Sequence, residues 1–154
     1  MHDVQLALPV TVEESNEIRM YRLTLPFLPP SKNQYDALPW NYQNSVKSKW
    51  KRWVIKECES LLVPKDMKHI GLSAALVFPS NRRRDPSNYA ATLWNFVPDA
   101  LQEGGFLQDD RDGRIDWGSN LGIKFHVDDR RGVPDVHRKR THIALAVKVG
   151  EGHD

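Results

Sequence analysis

The hydrophobic period changes once between residues 70 and 101, and this change most constrains the fold. The first part alternates apolar with other positions, at Ile70, Leu72, Ala74, Leu76 and Phe78. A period of two predicts a half-buried strand. Asp85-Pro86 then forms the favoured pair of helix N-cap and first helical residue. Apolar residues follow at helical spacing, at Tyr89, Leu93, Phe96, Val97, Ala100 and Leu101. A strand therefore leads directly into a helix, which we expect Pro98 to kink or split and Gly104-Gly105 to end.

Other segments predict further elements. Residues 21–27 have the pattern of a strand that Pro29-Pro30 ends, and residues 44 or 45 to 62 that of an amphipathic helix that Pro64 closes. Residues 121–127 and 143–149 alternate like two strands, and a basic loop over 128–140 is predicted to join them as a hairpin. These elements predict an α+β fold, a small mixed β-sheet with two main helices packed on it.

The length and composition limit the class of protein. The chain has 154 residues and a mass of 17.7 kDa. Of its residues, 40% are hydrophobic and 27% are charged, which is typical of a single soluble globular domain. We assign residues 1–19 to an N-terminal extension and residues 20–150 to the domain. Without a bilayer-length apolar run or a signal peptide, a cytoplasmic location with no membrane partner is expected. Cys58 alone excludes an internal disulfide and is predicted to be a buried packing residue.

The distribution of charge is more informative than the net charge of +2. Basic residues form three blocks: Lys47, Lys49, Lys51, Arg52 and Lys56; Arg82 to Arg84; and Arg130, Arg131, Arg138, Lys139 and Arg140. Acidic residues concentrate at Asp99, Glu103, Asp109, Asp110, Asp112 and Asp116. Basic surface around an acidic centre suits a metal-dependent nuclease. Solvated faces of mixed charge are the alternative. No P-loop, dinucleotide fingerprint or serine nucleophile elbow is present, so no organic cofactor is expected.

The segment over residues 82–88 combines groups for two tasks of phosphodiester chemistry. Arg82, Arg83 and Arg84 provide bidentate grips for phosphate oxygens, and Asp85 with the later Asp109-Asp110 pair provides carboxylates for Mg²⁺. Phe106 and the residues after it are expected to bring the paired acids back toward Asp85. Two alternatives stay open, because an N-cap role alone would explain Asp85 and a solvated turn would explain the later acids.

Three segments in order carry a resemblance to a known family: LPFLPPSKN over 25–33, RRRDPSN over 82–88 and DALQEGGFLQDD over 99–110. The chain resembles the RusA-like crossover junction endodeoxyribonucleases of phages and prophages from about residue 20 to 149. The resemblance implies a RusA-like homodimer that uses Mg²⁺, with Mn²⁺ as a possible substitute, to cut Holliday junctions or other branched DNA. A two-fold dimer also matches the two symmetric cut points of a four-way junction.

The resemblance also implies roles for individual residues. Asp85 and Asp110 would bind the metal most directly and be catalytic, with help from Asp109 and Asn88. The basic residues predicted to contact DNA are Arg82, Arg83, Arg84, Lys32, Lys47, Lys51, Arg130 and Arg131. Two departures concern the chemistry, since Ser87 stands where the family usually has an Asp, and residues 90–94 lack the usual lysine. A non-cleaving DNA-binding protein of the same fold and a protein-interaction module therefore remain as alternatives to a nuclease.

Overall fold

The computed structural model describes residues 18–109 and 114–148. The elements in these ranges are β1 (Ile18–Leu25), α1 (Lys32–Asp36), α2 (Trp40–Ser60), β2 (Ile70–Phe78), α3 (Pro86–Glu103), β3 (Ile115–Trp117), a 3₁₀ turn (Asn120–Gly122), β4 (Ile123–Val127), α4 (Asp135–Arg138) and β5 (Arg140–Lys148). β1 begins at Ile18, so its first two residues belong to the segment that was predicted to be the N-terminal extension, residues 1–19. None of the helices in the described ranges is both long and apolar enough to cross a membrane.

The five strands form one mixed sheet, as predicted for an α+β fold. Its order is β1-β5-β2, and β3 and β4 both lie along the remaining edge of β2. β1 pairs with β5 and β5 with β2 in antiparallel fashion, whereas β3 and β4 run parallel to β2. Helix α3 makes the long connection that a parallel pair requires, from the end of β2 back to the start of β3.

The predicted hairpin of the last two strands is wrong. β4 pairs with one edge of β2, where Ile123 is opposite Ala74, and β5 pairs with the other edge, where Ile143 is opposite the same residue. All nine residues of β2 are buried, so the central position suits it best. The alternation in the last two strands predicted which side chains face the core, but it carried no information about the pairing partner.

The core lies between one face of the sheet and the two long helices. Helix α2 contributes Trp50, Val54 and Cys58, each at most 2% exposed, which confirms the predicted buried role of Cys58.

Both long helices differ in part from those predicted. Helix α2 begins at Trp40 rather than near residue 45, without a side-chain cap at Pro39. Helix α3 is continuous from Pro86 to Glu103, so Pro98 does not split it. The buried neighbours of Pro98 hold the helix together despite the missing backbone donor.

The loop after β1 contains the short helix α1, which was not among the predicted elements. Ser31 and Gln34 form a reciprocal cap for α1: Ser31 Oγ accepts from Gln34 N at 3.2 Å, and Gln34 Oε1 accepts from Ser31 N at 3.0 Å. Thr92 Oγ1 of α3 donates to the Pro30 carbonyl at 2.6 Å. These bonds fix the proline-rich segment against α3, where it forms one wall of a cleft.

Candidate nucleic-acid interface

A cleft of about 1060 Å³ opens beside the N-terminus of α3. One wall is formed by residues 26–30 and α2, and the other by residues 78–84 and the segment around α4. The lining residues with rings or cationic groups are Phe27, Lys49, Trp50, Phe78, Arg82, Arg83, Arg84, Tyr89 and Lys139. The cleft therefore combines an aromatic interior with a basic rim.

The three arginines before α3 have different environments. The guanidinium of Arg84 lies 3.8 Å from the centre of the Phe78 ring, and its Nη1 donates to the carbonyls of Ser80 at 2.9 Å and Arg82 at 3.1 Å. Arg84 therefore stabilises the conformation of the loop between β2 and α3. Arg82 and Arg83 are exposed, and within the described ranges neither forms an ion pair. These two side chains remain available to bind phosphate.

Two lysines that were not predicted to be site residues also line the cleft. Lys49 of α2 places its ammonium 4.3 Å from the centre of the Phe27 ring, and Lys139 lies just after α4. Both are exposed, and neither forms an ion pair with a described carboxylate. The sequence placed both residues in basic blocks, but only the packing of α2 and α4 shows which members of those blocks face the cleft.

Most of the other cations predicted to contact DNA have acidic partners. Lys47 Nζ lies 2.6 Å from Asp99 Oδ2, and Lys51 Nζ lies 3.5 Å from Glu103 Oε2. Both pairs join α2 to α3. The remaining partnerships are Lys32 with Asp36 and Arg130 with Asp128, while Arg131 is exposed. These carboxylates lower the local positive potential, so these lysines and Arg130 contribute less to an anion site than the cleft cations do.

Asp85 caps α3 as its sequence position predicted. Its Oδ1 accepts from Ser87 N at 3.0 Å and from Ser87 Oγ at 2.9 Å. The Asp85 side chain is exposed, and Asn88 of the first helical turn is partly buried. Asp85 and Ser87 also line a second concavity of about 490 Å³, together with Lys124 of β4. The hydroxyl of Ser87 therefore completes the N-cap but adds no negative charge.

Asp109 lies far from Asp85 within one chain. Its Oδ1 is 2.8 Å from Arg114 Nε, and the Arg114 carbonyl accepts from Ile70 N at 2.9 Å, at the start of β2. Asp85 follows the other end of that strand, and nine residues of strand span about 26 Å. The expected return of the acids toward Asp85 therefore does not occur for Asp109. Asp110 lies outside the described residues.

The fit of Mg²⁺ depends on the donors near Asp85. Among residues 18–109 and 114–148, no three His, Cys, Asp or Glu side chains lie close enough together to hold a metal ion. Near the start of α3 one chain offers the Asp85 carboxylate and the Asn88 amide. Mg²⁺ commonly keeps several waters and takes only one or two carboxylates beside substrate phosphates. Asp85 and Asn88 fit such a weakly held ion, whereas Asp109 lies too far from them within one chain to join it.

Asp128 anchors the segment that forms the α4 side of the cleft. Its carboxylate accepts from Arg130 Nε at 2.8 Å, from Arg130 Nη2 at 2.7 Å and from Arg140 Nη1 at 2.8 Å. These bonds, led by those from Arg130, hold the pKa of Asp128 well below its ordinary value. Arg138 Nη1 adds bonds to the carbonyls of Pro79 at 3.0 Å and Asp128 at 3.1 Å. The α4 segment is thereby tied to the end of β2.

No protein-family model matches this chain, and no curated protein is significantly similar to it.

Proposed function

We propose that this protein is a Mg²⁺-dependent endonuclease that acts on branched DNA as a homodimer. The observation that carries the proposal is the group of cleft cations immediately before the Asp85 cap of α3. Arg82 and Arg83 form no ion pair with a carboxylate in the described part of the chain, so their guanidinium groups are available to contact phosphates there. The N-terminus of α3 adds its positive dipole end to the same region. The three sequence segments of the RusA-like resemblance support the same class of substrate.

The roles of the residues follow from their positions. Arg82 and Arg83 bind the phosphates on the 5′ or 3′ side of the cut and fix the register of the strand. Asp85 and Asn88 hold the metal ion at the start of α3. When bound, Mg²⁺ neutralises charge on the phosphate and lowers the pKa of a bound water. Ser87 keeps the Asp85 carboxylate oriented through the 2.9 Å bond from its hydroxyl.

The separation of the acids supports a dimeric site. Asp85 and Asp109 lie at opposite ends of β2, so one folded chain cannot direct both carboxylates at one phosphate. In a two-fold dimer the acidic segment of one copy can face the α3 N-terminus of the other. We therefore propose that each active site combines Asp85 of one copy with the Asp109-Asp110 segment of its partner.

A cleavage assay tests the proposal. Purified protein is incubated with a labelled four-way junction, a replication fork or a linear duplex of the same sequence, in Mg²⁺, Mn²⁺ or EDTA. We expect metal-dependent nicks on the branched substrates that disappear in Asp85→Asn, while the exposed Asp129→Asn variant cuts normally. Equal cutting of the linear duplex, or full activity of Asp85→Asn, would refute the proposal.

A non-cleaving DNA-binding protein of the same fold is the second candidate. At the start of α3 the neutral Ser87 stands beside the Asp85 carboxylate in place of a second acid, and this favours the second candidate. It predicts salt-sensitive binding of branched DNA and no product with either metal ion. Binding is measured in EDTA and cleavage in Mg²⁺, on the same set of substrates. A nuclease gives product in Mg²⁺, whereas the second candidate binds branched DNA and gives no product.

A further inference from the structure

We infer that the 1060 Å³ cleft binds an unpaired polynucleotide strand, so that the preferred substrate is branched DNA with a single-stranded segment. This inference deepens the proposed function, and rests on it only in taking a nucleic acid as the ligand. Three properties of the cleft lead to it: its size, its balance of charge and the chemistry of its interior.

The size of the cleft favours one strand over a duplex. A cube of 1060 Å³ has an edge of about 10 Å. A DNA duplex is wider than this, because its major groove alone is about 12 Å wide. A duplex arm would therefore rest on the rim. A single strand can enter and follow the floor between residues 26–30 and residues 78–84.

The charge of the cleft is suited to a polyanion. Lys49, Arg82, Arg83 and Lys139 line it, and among the described residues none of the four is paired with a carboxylate. The one acidic residue that the described part of the chain contributes to the lining is Asp135, whose carboxylate already pairs with Arg138. A ligand with successive phosphates can thus replace several counterions at once, which is the main source of affinity for nucleic acids.

The interior offers surfaces for exposed bases. Phe27 and Tyr89, both half-buried, line it, and Val136, at 67% exposure, lies at the α4 side. Phe78 is only 4% exposed and has the guanidinium of Arg84 over its ring, so it is not itself a stacking surface. Aromatic and apolar surfaces stabilise unpaired bases by stacking, whereas a duplex hides its base faces within its own stack. Small phosphorylated ligands would use the cations but would leave much of this surface uncovered. A basic rim around such an interior therefore favours a flexible strand.

Fluorescence anisotropy in EDTA tests the inference without any cleavage. The probes are labelled dT12, rU12 and a 12-base-pair duplex. We expect dT12 to bind at least about tenfold more tightly than the duplex. Arg82→Glu/Arg83→Glu should weaken dT12 binding, and each neutralised contact should reduce the salt slope by about 0.7. Val136→Glu, at an exposed position, should also weaken binding, since it places a carboxylate in the cleft.

The controls separate this inference from the nuclease proposal. Arg52→Glu changes an exposed cation of α2 outside the cleft lining and should leave dT12 affinity nearly unchanged. Tight binding of rU12 would support the same strand site and identify RNA as a further ligand. Equal affinity for strand and duplex, or equal losses in Arg52→Glu and Arg82→Glu/Arg83→Glu, would overturn the inference. In that case, cleavage of fully paired junctions would still support the proposed nuclease function. Strand binding without any cleavage would support the strand-binding role of the cleft but not the nuclease function.

Discussion

Asp85 and Asp109 lie at opposite ends of β2, one as the cap of α3 and the other in an ion pair with Arg114, which adjoins the start of the strand. The 18 residues of α3 separate them by about 27 Å along the helix axis. This distance exceeds the few ångströms across which two carboxylates can share a metal ion. Any active site that uses both acidic segments must therefore draw them from two copies of the chain.

Mixing two inactive variants tests this arrangement. Asp85→Asn and Asp110→Asn are refolded together, so that about half of the dimers contain one copy of each. If the site is shared, each mixed dimer has one intact site and one doubly altered site. We expect the mixture to regain nicking of a four-way junction but not paired cuts, as measured on a denaturing gel.

A matched mixture provides the control for the shared site. Asp85→Asn refolded with the double variant Asp85→Asn/Asp110→Asn can form no intact site and should stay inactive. If the first mixture also stays inactive, although both single variants form dimers, the shared arrangement is wrong. Recovery by simple mixing without refolding would indicate rapid exchange of copies.

Replacing Ser87 with Asp should strengthen metal binding. The hydroxyl of Ser87 lies 2.9 Å from Asp85 Oδ1, so Ser87→Asp places a second carboxylate beside the first. We expect Mg²⁺ affinity to rise at least about tenfold, or 1.4 kcal/mol, in calorimetric titration. Without metal the two like charges repel, so the melting temperature should fall slightly and recover on adding Mg²⁺. Ser87→Asn, similar in size but neutral, should show neither effect.

Local sequence signals predicted some elements well, and others depended on packing between distant segments. β2 was predicted at its observed bounds and α3 at its observed start, because strand alternation and the Asp85-Pro86 cap are local features. The partners of β4 and β5 were not predictable, since a period of two specifies a buried face but no neighbour. Lys47 and Lys49 are two residues apart on α2, yet one pairs with Asp99 and the other enters the cleft. Only the docking of α2 on α3 distinguishes them.

Asp128 should matter for stability more than its loop position suggests. Its side chain is only 5% exposed and accepts charged hydrogen bonds from Arg130 and Arg140. Asp128→Asn removes the negative charge and leaves these guanidinium groups without a counterion. We expect the free energy of unfolding in urea to fall by about 1–3 kcal/mol. The exposed neighbour variant Asp129→Asn should differ little from the original chain, and an equal loss in both would contradict this role of Asp128.

His142 should make stability depend on pH below neutrality. It lies on the sheet face opposite the helices, is 7% exposed, and its Nδ1 lies 3.1 Å from Thr24 Oγ1. Burial, and after it the charges of Arg22, Arg140 and His126, together lower the pKa of His142 from 6.5 to about 4. Between these two pKa values the unfolded chain takes up a proton that the folded chain does not bind. Stability should therefore fall as the pH is lowered from 6.5 to 4.

Urea denaturation at several pH values measures this dependence. One proton gives a slope of at most about 1.4 kcal/mol per pH unit. His142→Asn keeps a polar atom near the position of Nδ1 and removes the titrating ring, so it should flatten the slope between pH 4 and 6.5. The variant should retain the share of the slope that comes from His126, whose pKa is also lowered by burial and by Lys124 and Arg140. The exposed His137→Asn variant should keep the full slope, and a slope unchanged in His142→Asn would show that His142 accepts its proton in the folded state.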